Sequence, residues 1–521
     1  MKQRDRVRHA KAVAGDQGLT FQPVGPFHVE RLISALRHTY TVQAEVPQHL
    51  PWTYYDTYDW RLFNKALALM CTPTHACLQS LGDASLLVQA EITAAPVFRQ
   101  DLPEGELQTR LSPILSIRAL RPLCTISTYS QTLRILDRNA KTVVRLVVDQ
   151  HHLMPDEASR PLLTRVYIKP IRGYDKAAMK LRKWLTRHDF APLPDSLYTT
   201  ALAAAGRVPN EYSAKLRLHF DPQARADAVT QELLRFLCQV MRQNEAGIIE
   251  DVDTECLHDF RVAIRRTRSA LGQIKSVFPA RISARFKRDF AYLGSITNPL
   301  RDLDVYLLRQ DRYQARLPEH LRADIEPLFA SLQRQRAKAH TTLVRHLRSK
   351  KYATIMTDWE AFLTSPPEPA ASATQAARPI SSVARKRIRK KCRAVVKLGT
   401  QLQLKEHPDD KSLHQLRIEC KKLRYLLEFF SSLFATDDIA PLIKNLRRLQ
   451  DNLGDFHDAC VQQEALHTFA NDWLSTTPAS RRTLRAIDSL IGCLEGDKQT
   501  LGAAFSGLFS NFAASISEAP F

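Results

Sequence analysis

Cations recur along this sequence at spacings suited to holding an extended anion. The segments LHDFRVAIRRTRSALGQIKSVF (257–278) and LHQLRIECKKLRYLLEFFSSLF (413–434) align without a gap, at an offset of 156 residues (257 to 413). Leu257, His258, Arg261, Arg268, Leu271 and Phe278 meet identical residues at Leu413, His414, Arg417, Arg424, Leu427 and Phe434. Arg265 and Arg266 meet Lys421 and Lys422, so charge is kept where identity is lost. The same offset carries Arg288 to Lys444, Leu293 to Leu449, Asp302 to Asp458 and Val305 to Val461, which marks a duplication. On a helix turning about 100° per residue, His258, Arg261, Arg265 and Arg268 fall within roughly 80° of one another. Phe260, Ile264, Leu271 and Phe278 fall on the adjoining arc, which is expected to face a core. Each cationic stripe therefore runs beside buried surface. Asp259 is the sole acid between 257 and 275, and Glu419 is the one acid near the second stripe, so i,i+4 pairs do not neutralise them.

A third run, RKRIRKKCR (385–393), carries seven basic residues and no acid, with Arg385, Arg389, Lys390 and Arg393 as candidate contacts. Like charges at i,i+4 destabilise an isolated helix by roughly a few tenths of a kcal/mol each. A solvated face explains one such run. Three runs, two of them in repeat-equivalent positions, point to an anion that offsets the repulsion. Arginine suits phosphate oxygens because its planar guanidinium donates two parallel, charge-assisted bonds.

Catalytic alternatives find less support. Asp302 and Asp458 invite a carboxylate-pair reading, but helix packing or pairing with nearby cations accounts for them equally. The two histidines, at the starts of their helices, suit either anion contact or a hydrogen-bonded structural role. P-loop, HExxH, GxSxG and Rossmann glycine patterns are absent, and 16 glycines in 521 residues leave little scope for phosphate-cradling loops. No cofactor or metal is expected. The nine cysteines lack CxxC spacing, which removes zinc-ribbon and redox readings and leaves them as small apolar residues of a reducing compartment.

The elements that must position these side chains are helices. From 223 to 515 apolar residues recur three and four apart, broken by SPPEPAASATQAARPISS (365–382), whose prolines preclude a regular helix. That break divides the helical part into 223–364 and 383–515. Ahead of it, 201–222 is small and polar, a linker. Residues 21–200 favour period two: KTVVRLVVDQ (141–150) and LLTRVYIKPI (162–171) read as strands, and YDKAAMKLRKWL (174–185) as an amphipathic helix. Residues 1–20 form a basic tail expected to be disordered. A formal net charge of +21 admits nucleic acid, anionic membrane and polyphosphate alike as partners. No run of 18 apolar residues offers a membrane span, and the basic first residues lack the apolar stretch of a signal peptide. A cytoplasmic location is expected.

With LHxxRxxxRR/KKxR in both halves, followed in order by LGSITNPLRDLDV (293–305) and LQDNLGDFHDACV (449–461), residues 215–515 resemble the CHAD family, the conserved-histidine α-helical domain. The resemblance implies an all-α domain of two four-helix bundles related by a pseudo-two-fold axis. Basic helix faces would line a central groove or pore that binds long-chain inorganic polyphosphate, and the protein would be directed to polyphosphate granules. Carried over position by position, the contacts would be His258, Arg261, Arg265, Arg266 and Arg268, with His414, Arg417, Lys421, Lys422 and Arg424. Arg288, Lys444 and the 385–393 run are further candidates.

Residues 21–200 resemble a CYTH domain, the triphosphate-tunnel fold, through YYDTYDWRLFNKALAL (54–69) and RVYIKPIRGYDKAAMKL (165–181). The departures are specific. The family's opening ExExK is not found, and FHVERLISALR (27–37) does not fit it. The basic LRxR after the leucine segment is here LMCTP (69–73), and the acidic late strands read LVVDQ and VYIKP. A metal-dependent triphosphatase needs clustered carboxylates for Mg²⁺ or Mn²⁺ opposite phosphate-binding Lys and Arg. The expectation is thus an α+β multidomain chain, with a degenerate, non-catalytic, antiparallel β-barrel-like CYTH-type domain ahead of the helical one. Two rivals stand beside polyphosphate binding. One is a nucleic-acid-binding protein, which lacks support from RNP, KH or helix-turn-helix signatures; the other is a triphosphatase whose carboxylates lie in unaligned segments. A scaffold gathering other granule-associated proteins on bound polyphosphate is compatible with the main reading.

Overall fold

In a computed structural model of the chain, residues 20–517 are described apart from 83–84, 155–159, 193–195, 367–370, 406–407 and 477–480. They form two compact units that divide between Ser213 and Ala214. Except for Thr20, the basic tail expected at 1–20 lies outside the described residues.

The first unit is built on β1 (Thr20–Pro23), β2 (Thr41–Ala44), β3 (Gln48–Thr57), β4 (Leu67–Cys71), β5 (His75–Ser80), β6 (Leu86–Glu91), β7 (Leu120–Leu136), β8 (Thr142–Leu153), β9 (Arg160–Pro170) and β10 (Phe190–Pro192). All pairings are antiparallel, in the order β10-β1-β9-β8-β7-β3-β4-β5-β6, with β2 added to β7. The two strands read from the sequence are β8 and β9. Among the described residues the path stays open, since β10 and β6 end it without pairing to each other.

Period-two alternation sorts side chains between the two faces. Val144, Leu146 and Val148 of β8 and Val166 and Ile168 of β9 pack with α1 (Val29–Arg37) and α3 (Asp175–Arg187) through Leu32, Leu36, Leu181, Trp184 and Leu185. FHVERLISALR is therefore a helix start rather than a strand carrying carboxylates, because Leu32 and Leu36 share one buried helical face. Leu107, Leu111 and Leu115 of α2 (Glu106–Leu115) cover Leu69, Cys71 and Leu78. On α4 (Leu197–Ala204), Leu197, Tyr198 and Ala201 pack on Tyr54, Ile126 and Leu153. The stretch read as a linker from 201 is thus helical to Ala204 and continues in turns.

The second unit is helical: α5 (Ala226–Ile249), α6 (Thr254–Gln273), α7 (Ala280–Leu307), α8 (Gln310–Arg316), α9 (Glu326–Leu347) and α10 (Lys350–Thr364) form the first half. α11 (Ile380–Gln403), α12 (Asp410–Phe429), α13 (Thr436–Thr476) and α14 (Arg481–Ser517) form the second. The duplication is exact at its centre, where the sequence offset carries both ends of α6 onto both ends of α12. Their N-caps match as well. Asp253 Oδ1 accepts the N–H groups of Glu255 at 2.9 Å and Cys256 at 3.0 Å, and Asp409 Oδ1 accepts that of Ser412 at 2.9 Å. Downstream the halves diverge. α13 runs on for 41 residues, whereas the first half breaks after α7 and passes Pro318 before α9 begins.

Phe260, Ile264 and Leu271 are buried, as their spacing predicts. Phe278 lies beyond the end of α6, yet it too is buried, with its ring 5.1 Å from that of Phe362. The halves share a core in which Tyr313, Leu317, Phe329 and Leu332 meet Ala459, Leu466, Ile487 and Leu490. At Gly399 of α11 a Cβ would overlap the Phe509 ring of α14, so this crossing requires glycine. Cys71, Cys77, Cys124, Cys238, Cys256, Cys392 and Cys420 are buried, the apolar role expected of them.

Candidate anion-binding site

The repeat-equivalent helices α6 and α12 pack against each other, which brings the two stripes together. Arg265 is exposed and has no acidic partner among the described residues. It stands close enough to Arg417 and Lys421 on α12 to disfavour their charged forms. Burial, then Arg417 and Arg265, push the half-buried Lys421 ammonium down to about 7. Burial also lowers Arg417, partly offset by Asp458, whose carboxylate is 3.7 Å away. That carboxylate is shared, because Arg309 reaches it at 2.8 Å. Arg265, Arg417 and Lys421 thus form a cationic centre to which both repeats contribute, with one shared carboxylate beside it.

Around this centre the stripe residues differ in what already engages them. Arg261 donates to Thr297 Oγ1 at 2.7 Å and to Gly294 O at 3.4 Å on α7, and burial, then Arg265, hold it down at about 10. Arg266 is paired with Glu428 at 2.9 Å and donates to Ala214 O at 3.2 Å. Arg424 shares the same Glu428 at 3.2 Å, and Lys422 is paired with Glu419 at 2.7 Å. Arg268 is exposed, with no ion pair or hydrogen bond among the described residues. Arg288, Arg389, Lys390, Arg393 and Lys444 are exposed too, and share no ion pair or hydrogen bond with the centre among the described residues. Arg385, also exposed, has its guanidinium 5.1 Å from the centroid of the Phe434 ring.

Each motif histidine has a defined partner. Arg301 Nη2 donates to His258 Nδ1 at 2.8 Å, and His414 Nδ1 lies 3.1 Å from His457 Nδ1. In both cases the partner is 43 residues further on. The repeat register therefore puts Arg301 and His457 in one structural position. The sequence reading missed these two residues, although each directly precedes an aligned aspartate. Those aspartates serve the arginines: Asp302 pulls on Arg261 as Asp458 does on Arg417. A dyad of the kind that shares a proton is not formed. Glu428 was missed as well: it pairs with Arg424 at i,i+4, which corrects the reading of the second stripe as free of such pairs, and it neutralises Arg266 across the repeat interface, a pairing that no local spacing announces.

A second polar cluster lies in the β unit. On β7, β8 and β9 the residues alternating with the α1–α3 core include Thr128, Asp149, His151, Arg165 and Tyr167. Tyr167 donates to Asp149 Oδ2 at 2.9 Å, and the Thr128 hydroxyl meets His151 Nδ1 at 2.7 Å. Burial, then Arg165 and His152, push His151 down to about 3, so it is neutral. In cross-strand register, Arg134, Arg145 and Lys169 extend this face. Among the described residues no group of three or more His, Cys, Asp and Glu side chains is placed to hold a metal ion, and no helix is long and apolar enough to cross a membrane.

The chain is 28% identical over 282 residues to an uncharacterized protein of Mycobacterium tuberculosis (strain CDC 1551 / Oshkosh), a match covering 51% of this chain and 52% of that protein. The chain thus spans about half the length of the curated relatives it matches. Among solved structures it is similar to the CHAD domain from the plant Ricinus communis, at 23% identity and a TM-score of 0.49, over 58% of this chain and 96% of that one. A Hippeastrum protein reported to have a dominant triphosphatase activity matches 37% of this chain and 98% of its own, at 12% identity and a TM-score of 0.24. Residues 232–467 match the CHAD domain family, a span that holds both cationic stripes with His258, His414, His457, Asp302 and Asp458, and the helical unit of this chain carries a CHAD domain.

Proposed function

We propose that the helical unit binds inorganic polyphosphate across both repeats, and that this binding directs a cytoplasmic protein to polyphosphate granules. The observation that carries the reading is the cationic centre, where Arg265 of one repeat meets Arg417 and Lys421 of the other with a single shared carboxylate nearby. Holding like charges together costs energy that a polyanion offsets. Polyphosphate has a charge on every unit and no bases to read, so a track of guanidinium and ammonium groups without stacking platforms fits it. CHAD membership supports the same ligand, since polyphosphate binding is what that family implies. Affinity then comes from the number of contacts and from counterion release, and it weakens with salt.

The β unit is read as non-catalytic. What supports this is the missing ExExK and a polar face where Asp149 lies among Arg134, Arg145, Arg165 and Lys169. Calorimetry of the full chain with long-chain polyphosphate, in competition with DNA and RNA of matched charge, tests the binding reading. Polyphosphate should displace both nucleic acids; tighter binding of either nucleic acid contradicts it. Incubation with triphosphate and Mg²⁺ or Mn²⁺ should release no phosphate above a matched blank. Turnover abolished by Asp149→Asn or Arg165→Ala would show that the β unit is an enzyme.

A further inference from the structure

The second repeat carries its charge differently from the first. Lys421 is half-buried at the α6–α12 contact, facing Arg417 and Arg424 from its own helix, Arg265 from α6 and Asp458 from α13. Asp458 does not neutralise it alone, because Arg309 and Arg417 already share that carboxylate. Two turns earlier on α12, His414 meets His457 of α13 through facing Nδ1 atoms at 3.1 Å, with the rings 4.3 Å apart. Such a contact needs one N–H donor and one lone pair, so the pair holds at most one extra proton before its rings must part. Arg417 and Lys421 face both histidines, and Asp458 faces His457.

We propose that polyanion binding draws protons from solution onto this cluster, first onto Lys421 Nζ and then onto the His414–His457 pair, so that the second repeat is a proton-coupled half-site. This rests on the polyanion reading above. The proton comes from buffer or water, and no other bond is made or broken. Free of ligand, burial and the surrounding guanidinium groups favour the uncharged amine, with Lys421 at about 7. Burial, then Arg417 and His414, hold His457 down at about 4, and burial, then Arg417 and Lys421, lower His414. A phosphate chain laid against these groups supplies the missing negative charge and raises all three toward their ordinary values. The sign follows. Lys421 is about half charged at pH 7 when free and charged when bound, so binding takes up about half a proton there and close to one at pH 8. Above that point affinity falls by up to about tenfold per pH unit, until the bound-state value is passed.

The test is calorimetry of the full chain with long-chain inorganic polyphosphate at pH 8, in two buffers of different ionisation enthalpy. The apparent enthalpies should differ by an amount that reports uptake of about one proton. Lys421→Arg should still bind but lose most of that difference, because arginine stays charged. At pH 6.5 the uptake that remains in Lys421→Arg should vanish when His457→Arg is added to it, which gives the second repeat the residue that Arg301 supplies in the first. Equal enthalpies in both buffers with binding intact overturn the proposal on the wild-type protein alone, whatever the variants do. Full uptake retained by a folded Lys421→Arg overturns it too. No binding heat in any buffer overturns the polyanion reading itself, an outcome distinct from binding without uptake.

Discussion

The two repeats start from the same helix and cap and reach different electrostatic ends. In the first, Asp259 is the only acid along the stripe, Arg261 is tied to α7 through Thr297, and Arg265 and Arg268 stay exposed. In the second, Glu419 and Glu428 have been added. Glu419 engages Lys391 and Lys422, and Glu428 engages Arg424 and reaches across to Arg266 of the first repeat. Duplication set the backbone, and a few carboxylates then divided the cations into committed ones and available ones. The available ones converge where α6 meets α12, so neither repeat holds the site alone.

Four perturbations probe that division, from the largest expected effect to the smallest. Arg265→Glu with Lys421→Glu puts negative charge at the shared centre from both sides. Each lost charge-assisted contact is worth about 1.5–3 kcal/mol, so the pair should weaken polyphosphate binding by about 100-fold or more in a calorimetric titration. The slope of log affinity against log salt should also fall by roughly one per contact removed. Gly399→Ala separates packing from binding: a Cβ meeting the Phe509 ring should cost about 1–3 kcal/mol in a denaturant titration and leave affinity unchanged. Glu428→Gln frees Arg266 and Arg424. Affinity should rise about threefold to tenfold, with stability lower by at most about 1 kcal/mol because the pairs are partly exposed. Arg288→Glu and Lys444→Glu, repeat-equivalent and exposed, should each change affinity by no more than about threefold. A larger loss at either one would extend the site along α7 or α13.

The central part of this arrangement was legible before the structure. An unbroken offset from 257 to 305 predicts two equivalent helices, and α6 and α12 begin and end in register. The stripe beside the core face was legible too, because a 3.6-residue period fixes which residues share a face. What was not legible depends on contacts distant in sequence. Nothing near Arg266 announces Glu428, and nothing near His258 announces Arg301. In the β unit, β8 and β9 show clean β-branched alternation, but β3 and β7 contain Pro51 and Pro122, and their ladder shifts register between Tyr54 and Tyr55. Proline inside a run argues against a strand, so these two pass unnoticed in a reading by pattern. The resemblance named the tunnel fold, and FHVERLISALR, which does not fit that family's ExExK, is α1, since Leu32 and Leu36 favour a helix there.

The most direct test of a site shared between repeats is a matched pair of double reversals in the full chain, Arg261→Glu with Arg265→Glu against Arg417→Glu with Lys421→Glu, each titrated calorimetrically with long-chain polyphosphate. Each lost charge-assisted contact should remove about 1.5–3 kcal/mol of binding free energy. Both doubles should therefore lose comparable affinity and salt dependence with helix content unchanged by circular dichroism, the first melting somewhat lower because Arg261 no longer bonds Thr297 of α7. If one double binds like the unmodified protein and the other is inactive although folded, the polyanion is held by a single repeat and the second stripe is only a solvated face.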